Sequence, residues 1–201
     1  MGKRTERSRE TYNNMAAEYD TSPEGAYTRP HKEELARKVT VQDGDSVLDV
    51  ACGNGFLLGE LTKKASIHAF GVDLSEKMIA AAKTRHPDCT FAVNACVPLP
   101  FEENCMDAIT VSCAFHHFED PGAFACECMR VLKKDGKVYM AEPYFAPVIR
   151  ILANLLWIPF AKSGDVKVYH EKDLHTIFRA AGFGEIETYV KGTVLFFSAK
   201  K

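Results

Sequence analysis

Two short stretches contain the residues whose types and spacing best suit ligand chemistry. Residues 47–55 consist of an apolar run, an acidic residue and a glycine turn, Val-Leu-Asp-Val-Ala-Cys-Gly-Asn-Gly. A glycine turn between a strand and a helix leaves backbone N–H groups free to bind an anionic group. Residues 67–75 form a second apolar run that ends at Asp73, where a carboxylate can accept hydrogen bonds from both hydroxyls of a ribose. Together the stretches predict a pocket for a nucleoside that also carries a negative charge.

The spacing of the glycines distinguishes two kinds of nucleotide. A dinucleotide fingerprint requires a glycine three positions after Gly55, but that position is Leu58, and Gly59 is out of register by one. A dinucleotide is therefore the weaker prediction. An isolated Gly-x-Gly would also fit an ordinary strand-to-helix connection, so the nucleoside prediction depends on both stretches.

Alternating strand-like and helix-like segments must position these residues. Apolar runs typical of buried strands alternate with amphipathic segments, and Ser75 is suited to cap a helix. This alternation predicts an α/β fold with a parallel sheet covered by helices on both faces. The predicted strands are 47–50, 67–73, 90–94, 106–113, 137–141, 185–190 and 194–199, and the predicted helices are 30–39, 56–64, 75–86, 122–132, 147–158 and 169–182. Gly136 is expected to take a positive φ in the turn before the fifth strand.

The composition indicates a single globular domain over residues 1–201. The chain is 46% hydrophobic and 26% charged, with a formal net charge of -2 and a pI near 6.4. These values give no electrostatic basis for binding nucleic acid. The seven cysteines form no Cys-x-x-Cys pair, and the N-terminus has no apolar signal segment. We therefore expect reduced thiols, a cytoplasmic location and no metal site.

Several motifs in order resemble the class I S-adenosylmethionine-dependent methyltransferases, specifically the family typified by enzymes of ubiquinone and menaquinone biosynthesis. The family pattern is an acidic residue followed by Gly-x-Gly-x-Gly, and here Ala51 replaces the first glycine. The resemblance continues through residues 94–101, 105–107, 116–121 and 127–143. It covers about half the chain and implies a Rossmann-like, doubly wound, seven-stranded, mostly parallel sheet with a C-terminal antiparallel hairpin and a helical cap.

The resemblance implies S-adenosylmethionine as cofactor, with S-adenosylhomocysteine as product. Asp49 would orient the methionyl amine, Gly53 and Gly55 would admit its backbone, and Asp73 would bind the ribose. Asn94 stands where the family has an aspartate and keeps an oxygen that can accept from the adenine amino group. The remaining predicted cofactor contacts are Tyr19, Ala51, Cys52, Leu74, Met78, Ala95, Cys96, Ser112 and Cys113.

Two adjacent histidines are the titratable candidates for catalysis. His116 and His117 follow the strand at 106–113, and ligands of open α/β sheets bind beyond the carboxyl ends of the strands. Either imidazole could accept a proton from the methyl acceptor. The His-His-Phe sequence is also common in the family across unlike substrates, which is consistent with a structural role.

The ends of the chain are predicted to flank a cofactor-binding core at residues 45–143. Residues 1–40 contain Tyr19 and resemble an N-terminal helical lid, although Tyr19 could instead pack against the next helix. Residues 144–172 are predicted to form an apolar cap insertion, and 173–201 the last helix and the edge hairpin. The apolar stretch 147–160 is too short to span a membrane. It could cap the active site, contact a membrane surface or partner, or be an ordinary buried helix.

The functional hypothesis is transfer of a methyl group to a small hydrophobic or aromatic acceptor. Two alternatives remain. The first is a protein that binds the cofactor without transferring the methyl group, which the departures at Ala51 and Asn94 would allow. The second is a nicotinamide-dependent oxidoreductase, which Leu58 disfavours.

Overall fold

The computed structural model describes residues 2–161 and 163–201, and within them seven strands form one sheet. The strands are β1 Ser46–Val50, β2 His68–Asp73, β3 Thr90–Val93, β4 Met106–Ser112, β5 Leu132–Pro143, β6 Gly184–Lys191 and β7 Val194–Lys200. The α-helices are α1 Lys3–Met15, α2 Pro23–Lys38, α3 Phe56–Leu61, α4 Glu76–Arg85, α5 Pro121–Val131, α6 Pro147–Leu152 and α7 Glu171–Ala180.

The strand order is β3-β2-β1-β4-β5-β7-β6, which confirms the predicted fold. The first five strands pair in parallel, whereas β7 is antiparallel to both β5 and β6. The chain reverses its direction of strand addition between β1 and β4. Parallel sheets of this kind bind ligands in the crevice beyond the carboxyl ends of the strands at such a switch point.

Both faces of the sheet are covered by helices, as the sequence pattern predicts. On one face Phe124 of α5 and Phe178 of α7 pack with β4 and β5 residues around Phe115. On the other, Leu35 of α2 and Leu58 of α3 belong to a cluster that also contains β1 and α4 residues. Burial on both faces explains why the central strands are apolar runs without alternation.

Two local predictions differ from the structure. Helix α2 begins at Pro23, not at Pro30, because Ser22 caps it by accepting from Gly25 N at 3.0 Å and Pro23 occupies the first turn. The predicted turn before residue 137 is instead part of β5, whose pairing with β4 shifts register there, and Asp135 takes the positive φ of 67° predicted for Gly136. Gly136 serves a different purpose, since a Cβ there would lie 3.0 Å from the carbonyl oxygens of Asp107 and Lys133.

The apolar stretch 147–160, here called the apolar segment, is an interrupted helix. Helix α6 ends at Leu152 and is followed by a π-helical turn, Ala153–Trp157, and a 3-10 turn, Ile158–Phe160. Its large apolar side chains are mostly exposed, among them Trp157 at 66% and Phe160 at 79%. No helix in the part of the chain that the structure describes is long and apolar enough to cross a membrane.

Candidate functional site

A cavity lies at the carboxyl ends of β1, β2, β3 and β4. It encloses about 800 Å³ of space, part of it open to solvent. Its predicted lining residues are Tyr19, Ala51, Gly53, Asp73, Leu74, Met78, Asn94, Cys96, Ser112, Cys113 and His117. Its further lining residues are Thr5, Ser8, Arg9, Tyr12, Lys32, Ala114, Phe118 and Glu119.

Asp73 ends β2 and joins two turns at the wall of the cavity. One carboxylate oxygen accepts from Gly53 N at 2.8 Å and the other accepts from Ser75 N at 2.8 Å. Burial raises the pKa of Asp73, and these hydrogen bonds act in the opposite direction. Each oxygen retains capacity for a further donor. The carboxylate therefore faces the cavity while holding the glycine turn in place.

The glycine turn bends through a series of positive φ angles. Ala51 has a φ of 58° and Gly53 of 53°, and both residues line the cavity. Gly55 has a φ of 78° and caps α3 with left-handed backbone. A Cβ on Gly55 would lie 2.9 Å from the ring of Phe91, so this glycine is needed for packing and is not part of the cavity lining.

Two predicted contacts of the same stretch lie behind the cavity wall. Asp49 is 3% exposed and accepts from Thr110 Oγ1 at 2.7 Å. Burial raises the pKa of Asp49 to about 7. Cys52 is also buried, and burial raises the pKa of its thiol. Neither side chain lines the cavity.

The adenine side of the predicted pocket is formed by residues after β2 and β3. Leu74, Met78 and Cys96 line the cavity, whereas Ala95 does not. The amide nitrogen of Asn94 donates to Ala95 O at 2.7 Å and to Pro98 O at 2.9 Å. With its nitrogen engaged in the loop, the side chain presents its oxygen as the acceptor, as expected for a contact with an amino group.

The two histidines have different surroundings. His116 Nδ1 lies 2.7 Å from Glu142, whose carboxylate also accepts from the backbone N–H groups of residues 114–116. Although burial acts in the opposite direction, Glu142 raises the pKa of His116. His117 lines the cavity, with Nε2 3.2 Å from the hydroxyl of Tyr12. Burial and the neighbouring His116 lower the pKa of His117. The structure thus brings only His117 to the cavity.

Sequence reasoning predicted a lid over residues 1–40 but did not name the residues of α1 and α2 that line the cavity. Thr5, Ser8, Arg9 and Tyr12 line the cavity from one face of α1, and their spacing of three to four residues is the signal that could have found them. Lys32 of α2 is 8% exposed, with its ammonium 3.3 Å from the Tyr19 hydroxyl. No sequence signal separates this lysine from the solvated lysines of the chain.

The chain is similar to known methyltransferases along most of its length. A family model described as a methyltransferase domain matches residues 48–140. Demethylmenaquinone methyltransferase of Renibacterium salmoninarum is 30% identical over 162 residues, covering 78% of this chain and 68% of the relative. The enzyme of the same name from Thermotoga maritima is 34% identical over 135 residues, covering 62% and 59%.

Solved structures show the same fold. A methyltransferase of Haloferax volcanii, determined in complex with the Trm112 methyltransferase activator, superposes with a TM-score of 0.80 at 21% identity, covering 94% of this chain and 96% of that one. Haemonchus contortus phosphoethanolamine N-methyltransferase 2, with phosphomonomethylethanolamine and S-adenosylhomocysteine, gives a TM-score of 0.78 at 17% identity, covering 100% and 60%.

The fold and the cavity define a Rossmann-like protein with a nucleoside site at the strand ends. The sequence relationship makes the class specific: the chain belongs to the class I S-adenosylmethionine-dependent methyltransferases, in the family of the ubiquinone and menaquinone enzymes. Its cofactor is S-adenosylmethionine. The cavity fits this group, because Asp73 faces it and Ser112 Oγ is a buried polar atom without a hydrogen-bond partner among the described residues.

The buried carboxyl of Asp49 predicts a pH-dependent stability. Its pKa in the folded protein is about 7, against about 3.9 in an unfolded chain, so the folded state binds more protons between these values. The free energy of unfolding should therefore fall as the pH rises from about 4 to about 7. We expect Asp49→Asn to reduce this fall by a few kcal/mol, measured by urea unfolding at pH 5 and pH 8. Asp88→Asn, an exposed carboxyl, is the control, and equal pH dependence in Asp49→Asn and the wild type would contradict the prediction.

Proposed function

We propose that the protein transfers a methyl group from S-adenosylmethionine to a small hydrophobic or aromatic acceptor of the quinone type, in its reduced, hydroxyl-bearing form. The observation that carries the proposal is one continuous cavity with two kinds of wall. Asp73 and Gly53 stand at one end, and Tyr12, His117 and Phe118 line the wall under α1 and after β4. The printed names of the relatives, demethylmenaquinone methyltransferases, support an acceptor of this class.

The chain supplies distinct contacts for each part of the cofactor. Asp73 would bind the ribose hydroxyls, and the backbone around Gly53 would accommodate the amino-acid tail. Lys32 is a buried cation at the cavity wall, and an anionic carboxylate on the tail would be its natural partner. Leu74 and Met78 would pack against the adenine.

Alignment is the main catalytic contribution that the cavity can make. A bound sulfonium would supply a methyl group on a good leaving group. The acceptor atom would bond to the methyl as the methyl–sulfur bond breaks, and the methylated position would lose one proton. Proximity and orientation can supply about 7–11 kcal/mol of the barrier reduction. Tyr12 and His117 form the polar pair on the acceptor wall and would orient an acceptor hydroxyl by hydrogen bonding. His116 would not contact the reacting atoms, because its Nδ1 is hydrogen-bonded to Glu142 and the residue does not line the cavity.

Two variants should distinguish the contacts with the amino-acid tail of the cofactor from the contacts with its ribose. Lys32→Met should weaken binding of S-adenosylhomocysteine about 10–100-fold, because the carboxylate loses its charge-assisted partner. It should leave binding of 5′-methylthioadenosine, which lacks the amino-acid tail, nearly unchanged. Asp73→Asn should weaken both ligands, since both contain the ribose. Calorimetric titration measures the constants, and thermal unfolding checks that each variant is folded. If Lys32→Met weakened the binding of both ligands equally, Lys32 would not be a partner of the amino-acid tail.

The acceptor class can be tested with a methyl-labelled cofactor. We expect label to transfer to hydrophobic naphthohydroquinones and phenols, and not to phosphoethanolamine or free amines. His117→Ala, at the acceptor wall, should lower kcat at least about tenfold and leave S-adenosylhomocysteine binding intact. His68→Ala, which changes an exposed histidine, is the control. Transfer only to the polar acceptors would contradict the proposed class. Cofactor binding without transfer to any pool would favour the alternative of a binding protein.

We propose that the apolar segment contacts a lipid surface, from which a hydrophobic acceptor would be taken up. Arg150 is the single charged residue between Pro143 and Ala161, and the neighbouring charges on α1 are Arg7 and the exposed Glu10 beside Phe160. Arg7 of α1 adds positive charge beside the segment, where its guanidinium donates to Ala161 O at 3.2 Å. Exposed Trp and Phe beside basic residues are typical of surfaces that insert shallowly into lipid.

Binding to vesicles tests this contact. The protein should sediment with vesicles containing phosphatidylglycerol and less with vesicles of phosphatidylcholine alone. Replacing Trp157 and Phe160 by serine should weaken binding at least about tenfold, because each aromatic ring contributes about 1.5–3 kcal/mol when buried. Val93→Ser, on an exposed apolar residue of edge strand β3, is the control. Unchanged sedimentation of the double variant would contradict the lipid contact, as would a dimer in solution that the same substitutions abolish.

A further inference from the structure

We infer that His116, His117 and Asp165 form a binding site for one divalent transition-metal ion beside the cavity. One donor atom from each residue lies within 4.8 Å of the other two. Asp165 Oδ1 is 3.0 Å from His117 Nδ1 and 3.8 Å from His116 Nε2. The three side chains are between 9% and 19% exposed. The inference concerns an ion site and is independent of the acceptor proposed above.

The orientation of His116 leaves its Nε2 available to bind a metal ion. Its Nδ1 lies 2.7 Å from a Glu142 oxygen, and a carboxylate acceptor there requires the proton on Nδ1. The lone pair is then on Nε2, which faces Asp165. A carboxylate behind a ligating histidine is the usual arrangement around protein-bound metals, because it fixes the tautomer and the ring. The backbone hydrogen bonds to Glu142 hold this carboxylate in place.

His117 provides the second observation that points to a ligand. Its Nδ1 is buried and has no hydrogen-bond partner within residues 2–161 and 163–201, although Asp165 Oδ1 lies only 3.0 Å away. The carboxylate oxygen is therefore close to the nitrogen but off the direction of an N–H bond. A lone pair on Nδ1 and a carboxylate oxygen that face each other in a buried place repel, so the space between them must hold either a proton or a metal cation. The other nitrogen, Nε2, is 3.2 Å from the Tyr12 hydroxyl, which would fix the ring from outside.

The loop that carries Asp165 is held in position by contacts of its own. Arg4 of α1 donates to Asp165 O at 2.7 Å and to Val166 O at 3.2 Å. Val166 N donates to His116 O at 2.8 Å. The loop carrying the carboxylate is thus held beside the histidines by hydrogen bonds to its backbone that do not depend on the ion.

The donor set selects the class of ion. Nitrogen and oxygen ligands bind zinc at about 2.0–2.2 Å, which places adjacent donors about 3–4 Å apart, as found for Asp165 and the two histidines. Two imidazoles and one carboxylate suit zinc or ferrous iron, whereas magnesium and calcium prefer oxygen ligands alone. A bound ion would tie the turn at residues 115–117 to the loop at 163–168. It would also hold the His117 ring against the Tyr12 hydroxyl.

Zinc binding to the chelator-stripped full chain tests the site. We expect calorimetry to show one Zn²⁺ per chain with sub-micromolar affinity, and Co²⁺ to give a visible absorption band. Asp165→Asn and His117→Ala should each weaken Zn²⁺ binding about 100-fold or more, because each removes a direct ligand. Zinc should raise the Tm of the wild type and leave the Tm of Asp165→Asn unchanged. His68→Ala changes an exposed histidine and should bind zinc as the wild type does.

Two outcomes would overturn the inference: no Zn²⁺ binding to the stripped wild type, or equal binding by the wild type and a folded ligand variant. If one variant fails to fold, the other gives the same comparison. S-adenosylhomocysteine binding by the stripped protein, measured in parallel, separates this result from the proposed methyl transfer. A protein that binds the cofactor and no zinc would refute the ion site alone.

Discussion

The carboxylate of Asp73 is the constraint on which the cavity depends. β1 and β2 pair in parallel register, with Val50 opposite Val72, so the turns that follow these strands are neighbours. Asp73 joins them by accepting from Gly53 N and Ser75 N. Burial disfavours the ionised carboxylate, and the two backbone donors favour it. The same group therefore shapes the glycine turn and faces the cavity, so a substitution at this position alone would change both the turn and the cavity wall.

Helix α1 covers the cavity through contacts next to this carboxylate. Ser75 Oγ donates to Asn13 Oδ1 at 2.7 Å, and Asn13 Nδ2 donates to Glu76 at 2.8 Å. Arg9 also pairs with Glu76. These contacts involve one turn of α4, and the Arg9–Glu76 pair is solvent-exposed, so it contributes little to stability. Helix α1 is also attached on the side of the turn at 115–117, where Arg4 donates to Asp165 O and the Thr5 N–H donates to Glu119. The helix therefore covers the cavity through contacts on more than one side.

A feature of this structure could be predicted from the sequence where a short stretch of residues determines it. The fold and Asp73 could be predicted because strand periodicity and the glycine turn are properties of short stretches of sequence. Lys32 could not, because its position at the cavity depends on how α2 packs under Tyr19. The proximity of His117 and Asp165 could not either, since the folding of the chain alone brings these distant residues together. For the same reason the apolar segment was open to several interpretations: its apolar composition does not say which side chains the fold leaves exposed.

The two departures from the family motif bear on whether the pocket can still serve catalysis. Ala51 adopts a φ of 58°, so the backbone bends in the left-handed region although the residue has a Cβ. Holding alanine there costs about 1–2 kcal/mol relative to glycine, which the surrounding hydrogen bonds must offset. Asn94 donates from its amide nitrogen to the loop and so keeps its oxygen as an acceptor. Both residues line the cavity, so neither change closes it. The departures are thus compatible with a working methyltransferase, and they give no physical support to a protein that only binds.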